Sequence, residues 1–358
     1  MKTIHVQAST HSYDVTIGEN IHCQLEKYVE IDAYSSVFVI TDEHVYKHYG
    51  DSFIASIPHN RVSQVIIPSG EQSKSFEQYY DLLTKALSEG IDRKGLIIAF
   101  GGGVVGDIAG FVASTLLRGI DYIQVPTTIL AHDSSVGGKV AINHPLGKNL
   151  IGHFYAPKAV VYDVALLKSL PPHEIRSGYT EIIKEALIDH QSLFEEMIAR
   201  PLTNCSTKDF IPFIQKGIEI KARIVEEDER ESGVRAFLNL GHTLGHAIEA
   251  DAGYGTLTHG EAVAIGLLFS LYVSEKTFSN ALPLQSLYQW FIQNKYPIRI
   301  DAKRIPNYIE LMKKDKKVHK DHIHMVLLKE IGKPSTVGLT PTQLTSLLNE
   351  FIEEMHTW

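Results

Sequence analysis

Over roughly the first half of the chain, short apolar runs alternate with polar turns; beyond it the apolar spacing becomes that of helices. Ile4-His5-Val6 and Tyr13-Asp14-Val15-Thr16-Ile17 alternate as edge strands do, with Gly18-Glu19-Asn20 as the turn after them. Val37-Phe38-Val39-Ile40, Val65-Ile66-Ile67, Gly95 to Phe100, Tyr122 to Val125 and Val160-Val161-Tyr162 are short, mostly unbroken apolar runs. Such strands are buried on both faces, as in a parallel sheet covered by helices. Helices are expected over Phe76 to Ser88 and Ile108 to Leu117. Leu170-Pro171-Pro172-His173-Glu174 reads as a junction, since proline suits the first turn of a helix. After it the pattern is helical, apart from a strand expected over His324 to Leu328. The expected fold is therefore an α/β domain over residues 1–170, Rossmann-like in its alternation of strands and helices, followed by an all-α domain over 171–358.

Composition narrows the function without naming it. At 358 residues, with 44% hydrophobic and 21% charged positions, two ordinary soluble domains are expected. A formal charge of -8 argues against nucleic acid as a partner. An anionic small substrate is allowed only if lysines and arginines are concentrated locally. Cys23 and Cys205 provide neither a disulfide framework nor a cysteine zinc motif. MKTIHVQAS lacks the apolar core of a signal peptide, and the apolar run Ala262 to Val273 is too short to span a membrane. A cytoplasmic, reducing compartment is expected.

Two stretches carry chemistry. In residues 239–261, NLGHTLGHAIEADAGYGTLTHGE, His242 and His246 leave one helix face a turn apart, and His259 opens the next helix after a glycine-rich turn. On the residues alone the three imidazoles form a metal site, against the plain alternative of a polar helix face. Thr243 stands where a zincin peptidase needs glutamate, so the peptidase signature is absent. Gly241, Gly245 and Gly260 leave room for a backbone or a substrate to approach.

The second stretch is Gly101-Gly102-Gly103-Val104-Val105-Gly106-Asp107, which fits G-x-G-x-x-G between a strand and a helix. Backbone N–H groups at such a helix start cradle a pyrophosphate. Asp42, just past a strand, is placed to bind a ribose or to cap the following helix. Thr127 and Thr128 end the strand at Val125. Gly138-Lys139 and Gly147-Lys148 form two glycine–lysine loops, neither with P-loop spacing. Beside a cofactor loop they point to an anion. Glu71 and Lys74 read mainly as part of a capped helix start. Glu181, Lys184 and Glu185 share one helix face, and such faces are mostly solvated ion-pair stripes.

GGGVVGD, VPTT, DSSVGGK, PLGKNLIG, the helix around Glu181, NLGHTLGHAIEA, HGEAVAIG, DKK and IGK occur here in one order. Together they resemble the 3-dehydroquinate synthase family over nearly the full length. Ala131-His132-Asp133 is one residue shorter than that family's run. The resemblance implies a homodimer, with the site in the cleft between domains, using NAD and a divalent metal, zinc or cobalt. It implies Glu181, His242 and His259 as metal ligands, with His246 facing the substrate or supporting the ligands. It implies NAD contacts at Asp42, Ser69, Gly70, Glu71, Gln72, Ser73, Lys74, Gly103, Val104, Val105, Gly106, Asp107, Thr127, Thr128, Asp133, Lys139, Lys148, Leu166, Leu167, Lys168 and Ser169. For the substrate's phosphate and carboxylate it implies Arg118 (from the other subunit), Lys139, Asn149, Lys184, Lys221, Arg235, Asn239, His246 and Lys316.

The implied reaction converts 3-deoxy-D-arabino-heptulosonate 7-phosphate to 3-dehydroquinate and phosphate, in the shikimate pathway, by transient oxidation, elimination, re-reduction and aldol closure. The rivals are a metal-dependent, glycerol-type NAD alcohol dehydrogenase, a related sugar-phosphate cyclase, and a catalytically silent NAD or metal sensor. The concentration of cationic residues favours an enzyme acting on a sugar phosphate.

Overall fold

A computed structural model describes residues 1–253, 255–314, the backbone of 318–319, and 322–358. The chain packs as two units, one of residues 1–171 with 206–230, the other of 172–205 with 231–358. A single division at 170/171 does not describe residues 206–230. Their helix, Ile211–Glu227, returns to the first unit, where Glu226 and Glu229 accept from the N–H groups of Gln7 and Ser9.

The first unit contains β1 (Lys2–Gln7), β2 (Ser12–Gly18), β3 (Val37–Asp42), β4 (Val62–Ile67), β5 (Leu96–Gly101), β6 (Asp121–Pro126), β7 (Lys139–His144), β8 (Gly147–Phe154) and β9 (Ala159–Asp163). Seven form one sheet in the order β1-β2-β9-β6-β5-β3-β4, parallel except for β1, which pairs antiparallel with β2. β2 is thus interior, against the expectation of an edge, because β9 pairs with its other side. The apolar runs are buried on both faces, as their composition requires: Phe38 and Ile40 join one core, Val37 and Val39 the other.

Strand order also fixes where a ligand binds. From β3 the chain crosses to β4 on one side and then to β5 on the other, so the strand order reverses between β3 and β5. Open α/β sheets bind ligands at the carboxyl ends of the strands flanking such a reversal. Asp42 ends β3 and Gly101 ends β5. The following helix, Gly103–Thr115, starts earlier than its apolar spacing predicts, because the glycines themselves form its first turn. β7 and β8 form a separate antiparallel hairpin. Lys148 and Asn149 therefore lie on a strand and not in the expected loop.

The second unit is largely helical. Its helices Pro172–Asp189 and His242–Ala252 pack against His259–Phe278, which is buried on every side from Gly260 to Ser274. The departure from all-α is a three-stranded antiparallel sheet of β10 (Val318–His319), β11 (His322–Leu328) and β12 (Pro334–Leu339). β11 contains the strand expected at His324 to Leu328.

Candidate active site

In the second unit, glycines let three helices approach until their polar side chains share a point. A Cβ on Gly266 would lie 1.8 Å from the Gly241 carbonyl oxygen, and one on Gly260 would lie 2.0 Å from that of Ser177. The room left by Gly260 is thus taken by backbone. Gly260 N–H also donates to Ser177 Oγ at 3.0 Å, and Arg176 holds Glu261 through two guanidinium bonds of 2.9 and 2.6 Å. These contacts pin the start of His259–Phe278 to the helix that carries Glu181.

At that point His242, His246 and His259 each offer a ring nitrogen, all within 4.8 Å of one another. Glu181 lies among them: its Oε1 is 3.7 Å from His242 Nε2 and 3.5 Å from His259 Nε2. The ring tautomers follow from the outer partners. His242 Nδ1 faces the Leu240 carbonyl at 3.0 Å and His259 Nδ1 faces a Glu249 oxygen at 3.1 Å. Both partners are acceptors, so both Nδ1 atoms donate, and the Nε2 atom of each ring is the one turned toward Glu181.

The Glu181–Lys184–Glu185 face is not a solvated stripe. All three are buried, with Lys184 Nζ 2.7 Å from Glu181 Oε2. The sequence hides this because both sides of the helix are covered by other helices. Burial would raise the Glu181 pKa, but Lys184, His242 and His259 outweigh it and hold the carboxyl well below its usual range. Burial also pushes His242 far down, so its ring is neutral. At His259 burial is overcome by Glu181 and Glu249, which raise the pKa to about 10.

Glu181 Oε1 is buried and makes no hydrogen bond among the described residues. An orphaned buried carboxylate oxygen beside two imidazole Nε2 atoms costs free energy unless a cation, a metal ion or the proton on His259, faces it. The donor set of two nitrogens and one oxygen suits zinc or cobalt. Both ligand sets raised by the sequence are thus brought together, the three imidazoles and the pair of imidazoles with Glu181. Sequence reasoning missed Glu249; its signal is a position one turn after His246 on the same helix.

Nearby in the same unit, Arg235 is buried and Asn239 donates to Glu231 at 2.8 Å. Lys316 lies outside the described residues.

The first unit places most of the NAD candidates around the strand-order reversal. Asp42 takes the capping role. Its Oδ1 accepts from the N–H groups of His44 and Val45 and from Ser69 Oγ, which leaves Oδ2 outside the cap. Gly102 caps the helix Gly103–Thr115 without a side chain, so the first N–H groups have no side-chain acceptor from the cap. Gly106 packs so closely on β6 that a Cβ would meet Gln124 Oε1 at 2.7 Å, while a Cβ on Gly103 would meet Ser134 Oγ at 3.1 Å. The Thr127 and Ser134 hydroxyls beside this turn are buried without partners among the described residues. A bare glycine cradle with orphaned hydroxyls fits a dinucleotide phosphate.

Glu71 and Lys74 do far more than start a helix. Lys74 is 3% exposed, with Nζ 2.6 Å from Asp107 Oδ2, 2.5 Å from Asn149 Oδ1 and 3.7 Å from Glu71 Oε1. Burial opposes its charge, but Asp107 and Glu71 prevail and raise its pKa. Lys148 Nζ is 3.8 Å from Glu71. Gln72 donates to the Ser69 carbonyl, Ser73 Oγ to that of Pro68, and Gly70 turns the loop at φ +105. Lys221 reaches the Asp133 carboxylate at 2.9 Å, which joins two candidates far apart in sequence.

Other candidates sit differently. Val105, Leu166 and Leu167 are core side chains and offer a ligand only their backbone. Thr128 faces the Gly102 backbone, Ser169 Oγ donates to the Leu166 carbonyl, and Lys168 lies 3.8 Å from Glu19. Lys139 is exposed at the start of β7. Arg118 is exposed in a left-handed turn at φ +75 and has no hydrogen bond or ion pair among the described residues.

Known proteins resemble this chain in sequence and in fold. Residues 64–177 match the family model of the 3-dehydroquinate synthase N-terminal part, and residues 178–318 match that of its C-terminal part. The chain belongs to the 3-dehydroquinate synthase family. It is 52% identical to the 3-dehydroquinate synthase of Oceanobacillus iheyensis over 99% of both chains. A crystal structure of 2-deoxy-scyllo-inosose synthase, complexed with carbaglucose-6-phosphate, NAD+ and Co2+, is similar at a TM-score of 0.88 and 26% identity, covering 98% of this chain and 100% of that one. 2-epi-5-epi-valiolone synthase from Streptomyces hygroscopicus, with NAD+ and Zn2+ bound, shares the fold at a TM-score of 0.84 and 22% identity, covering 97% and 99%.

Proposed function

We propose that this chain converts 3-deoxy-D-arabino-heptulosonate 7-phosphate to 3-dehydroquinate and phosphate, as a 3-dehydroquinate synthase using NAD and a zinc or cobalt ion. The observation that carries the reading is the bare Glu181 Oε1 facing the Nε2 atoms of His242 and His259. Identity decides between family members: 52% to a 3-dehydroquinate synthase against 26% to a sugar-phosphate cyclase of other product.

NAD supplies reversible hydride removal from an alcohol carbon, and the cation supplies Lewis acidity at that alcohol's oxygen. The glycine turn after β5, Asp42, Thr127 and Thr128 seat the dinucleotide, with Glu71, Lys74, Asp133, Lys139, Lys148 and the 166–169 backbone around it. Glu181, His242 and His259 hold the cation; one carboxylate charge leaves the ion net positive toward an anionic substrate. Lys184 fixes the second Glu181 oxygen, so the first stays aimed at the ion. His246 lies beside both ligand rings, 5.2 and 5.6 Å between centroids, and is the group placed to carry a proton to or from the substrate. Lys139, Asn149, Lys221, Arg235, Asn239 and Lys316 meet the phosphate and carboxylate. A chain of formal charge -8 binds an anionic substrate only through cationic groups gathered for it.

A homodimer completes the reading. Leu146, Leu150, Ile151 and Phe154 are exposed along the β7–β8 hairpin, and the unpartnered Arg118 is offered to a second copy. A chain with only two cysteines suits the cytoplasm. No described helix is long and apolar enough to cross a membrane.

The test is incubation of the purified protein with the heptulosonate phosphate, NAD and Zn2+. Stoichiometric phosphate release without lasting NADH absorbance is expected; persistent NADH would instead identify an alcohol dehydrogenase.

A further inference from the structure

We propose that Asn143 is a positioning residue that couples occupancy of the cofactor loop, residues 69–74, to the placement of Asn149. The inference rests on the reading above, in which that loop holds NAD and Asn149 meets the substrate. It starts from an irregularity. The pairing of β7 with β8 shifts register between Ile142 and His144, and Asn143 sits at the shift. Lys148, Asn149 and Leu150 of β8 stand opposite Asn143 alone, and an irregularity of this kind releases Asn143 from the regular ladder and re-aims its side chain.

The freed residue binds three ways. Its N–H donates to the Lys74 carbonyl at 2.6 Å, its Nδ2 donates to Glu71 Oε1 at 2.8 Å, and its Oδ1 accepts from the Asn149 N–H at 3.0 Å. Asn149 is held at φ +55, a left-handed conformation that a strand residue adopts only when its surroundings impose it. Its own carboxamide oxygen accepts from Lys74 Nζ. Loop and hairpin thus meet through the Lys74 ammonium, the Asn143 N–H, the Lys148–Glu71 ion pair and the Asn143 carboxamide, and the last of these also holds the Asn149 N–H. The carboxamide donates to Glu71 and accepts from the Asn149 backbone through separate atoms; aspartate keeps the second bond and turns the first into a repulsion. A ligand that draws Glu71 and Lys74 toward itself acts directly on the bonds that hold Asn149. Coupling of this kind is reciprocal, so substrate seated against Asn149 also tightens the loop on its cofactor.

Hydrogen exchange of the full-length protein, with and without NAD, tests this. In the parent, NAD is expected to slow exchange in residues 69–74 and in 147–154. In Asn143→Ala and Asn143→Asp the protection at 69–74 remains, while that at 147–154 falls on the order of tenfold. At saturating NAD the KM for the heptulosonate phosphate rises by a similar factor, with kcat changed less. Asn143→Asp retains shape and one bond, so a thermal midpoint near the parent's separates lost coupling from lost folding. Equal protection of 147–154 in parent and variants overturns the role of Asn143. NAD binding without any protection of 147–154 in the parent overturns the coupling but leaves the cofactor reading intact. Absence of NAD protection at 69–74 in the parent overturns the cofactor reading itself.

Discussion

His259 Nδ1 stands 3.1 Å from Glu249 Oε2, and that contact turns the opposite ring nitrogen toward Glu181. An outer carboxylate of this kind fixes the tautomer and orientation of a ligating imidazole. Glu249→Ala is therefore expected to weaken zinc binding about 10- to 100-fold. Chelator competition on the purified variant reads this directly. Unchanged affinity would mean that the ring is oriented by packing alone.

His259→Ala is expected to abolish turnover and metal retention while NAD still binds, because the dinucleotide candidates all belong to the first unit. Zinc content after dialysis and NAD titration calorimetry check the two halves separately. Equal zinc in variant and parent would remove His259 from the ligand set.

The contact between Gly266 and Gly241 allows no side chain. A Cβ on Gly266 would meet a backbone oxygen, which cannot swing aside as a side chain does. Gly266→Ala is expected to destabilise by about 3 kcal/mol or more. Gly253→Ala meets nothing within 4 Å and carries only the backbone strain of φ +80 with ψ 133, roughly 1–3 kcal/mol. Denaturant unfolding of the pair gives the ranking, and the reverse order would refute the packing argument.

Asp163 ends β9 and accepts from the N–H groups of Asn20, Ile21, His22 and Ala165 and from the His22 ring. Burial alone would raise its pKa, but the His22 side chain and the backbone donors outweigh it and lower it. The folded state therefore binds this proton more weakly than the unfolded state does. The resulting stability is fully present above the unfolded pKa of about 3.9 and is lost as pH falls through the folded value. Asp163→Asn should cost about 3 kcal/mol at neutral pH and much less in strong acid. Unfolding curves measured from pH 7 down to pH 2 check it; a pH-independent difference would assign the loss to shape instead of charge.

Much was legible along the chain because it depends on local pattern. Unbroken apolar runs gave the buried strands, the helical pattern gave the helix Phe76–Ser88, and Pro172 opens the helix it was expected to open. G-x-G-x-x-G between strand and helix and the spaced histidines announced two ligand sites, since each is a matter of spacing within one or two elements. Order and composition of the motifs sufficed to indicate the family.

Other features depended on partners distant in sequence. Glu181 and Lys184 look solvated in one dimension, because a helix shows its polar face without showing what covers it; three crossing helices bury them and leave Oε1 bare. The assignment of residues 206–230 to the first unit rests on Lys221, Glu226 and Glu229 finding Asp133 and the N-terminal strand. The bulge at Asn143 and the burial of Lys74 are likewise set by pairing across the hairpin. Sequence determined which elements form and which chemistry they carry, because backbone preference and apolar period act over a few residues. Tertiary structure alone decided which charges lose their water, since desolvation depends on everything that packs around a group.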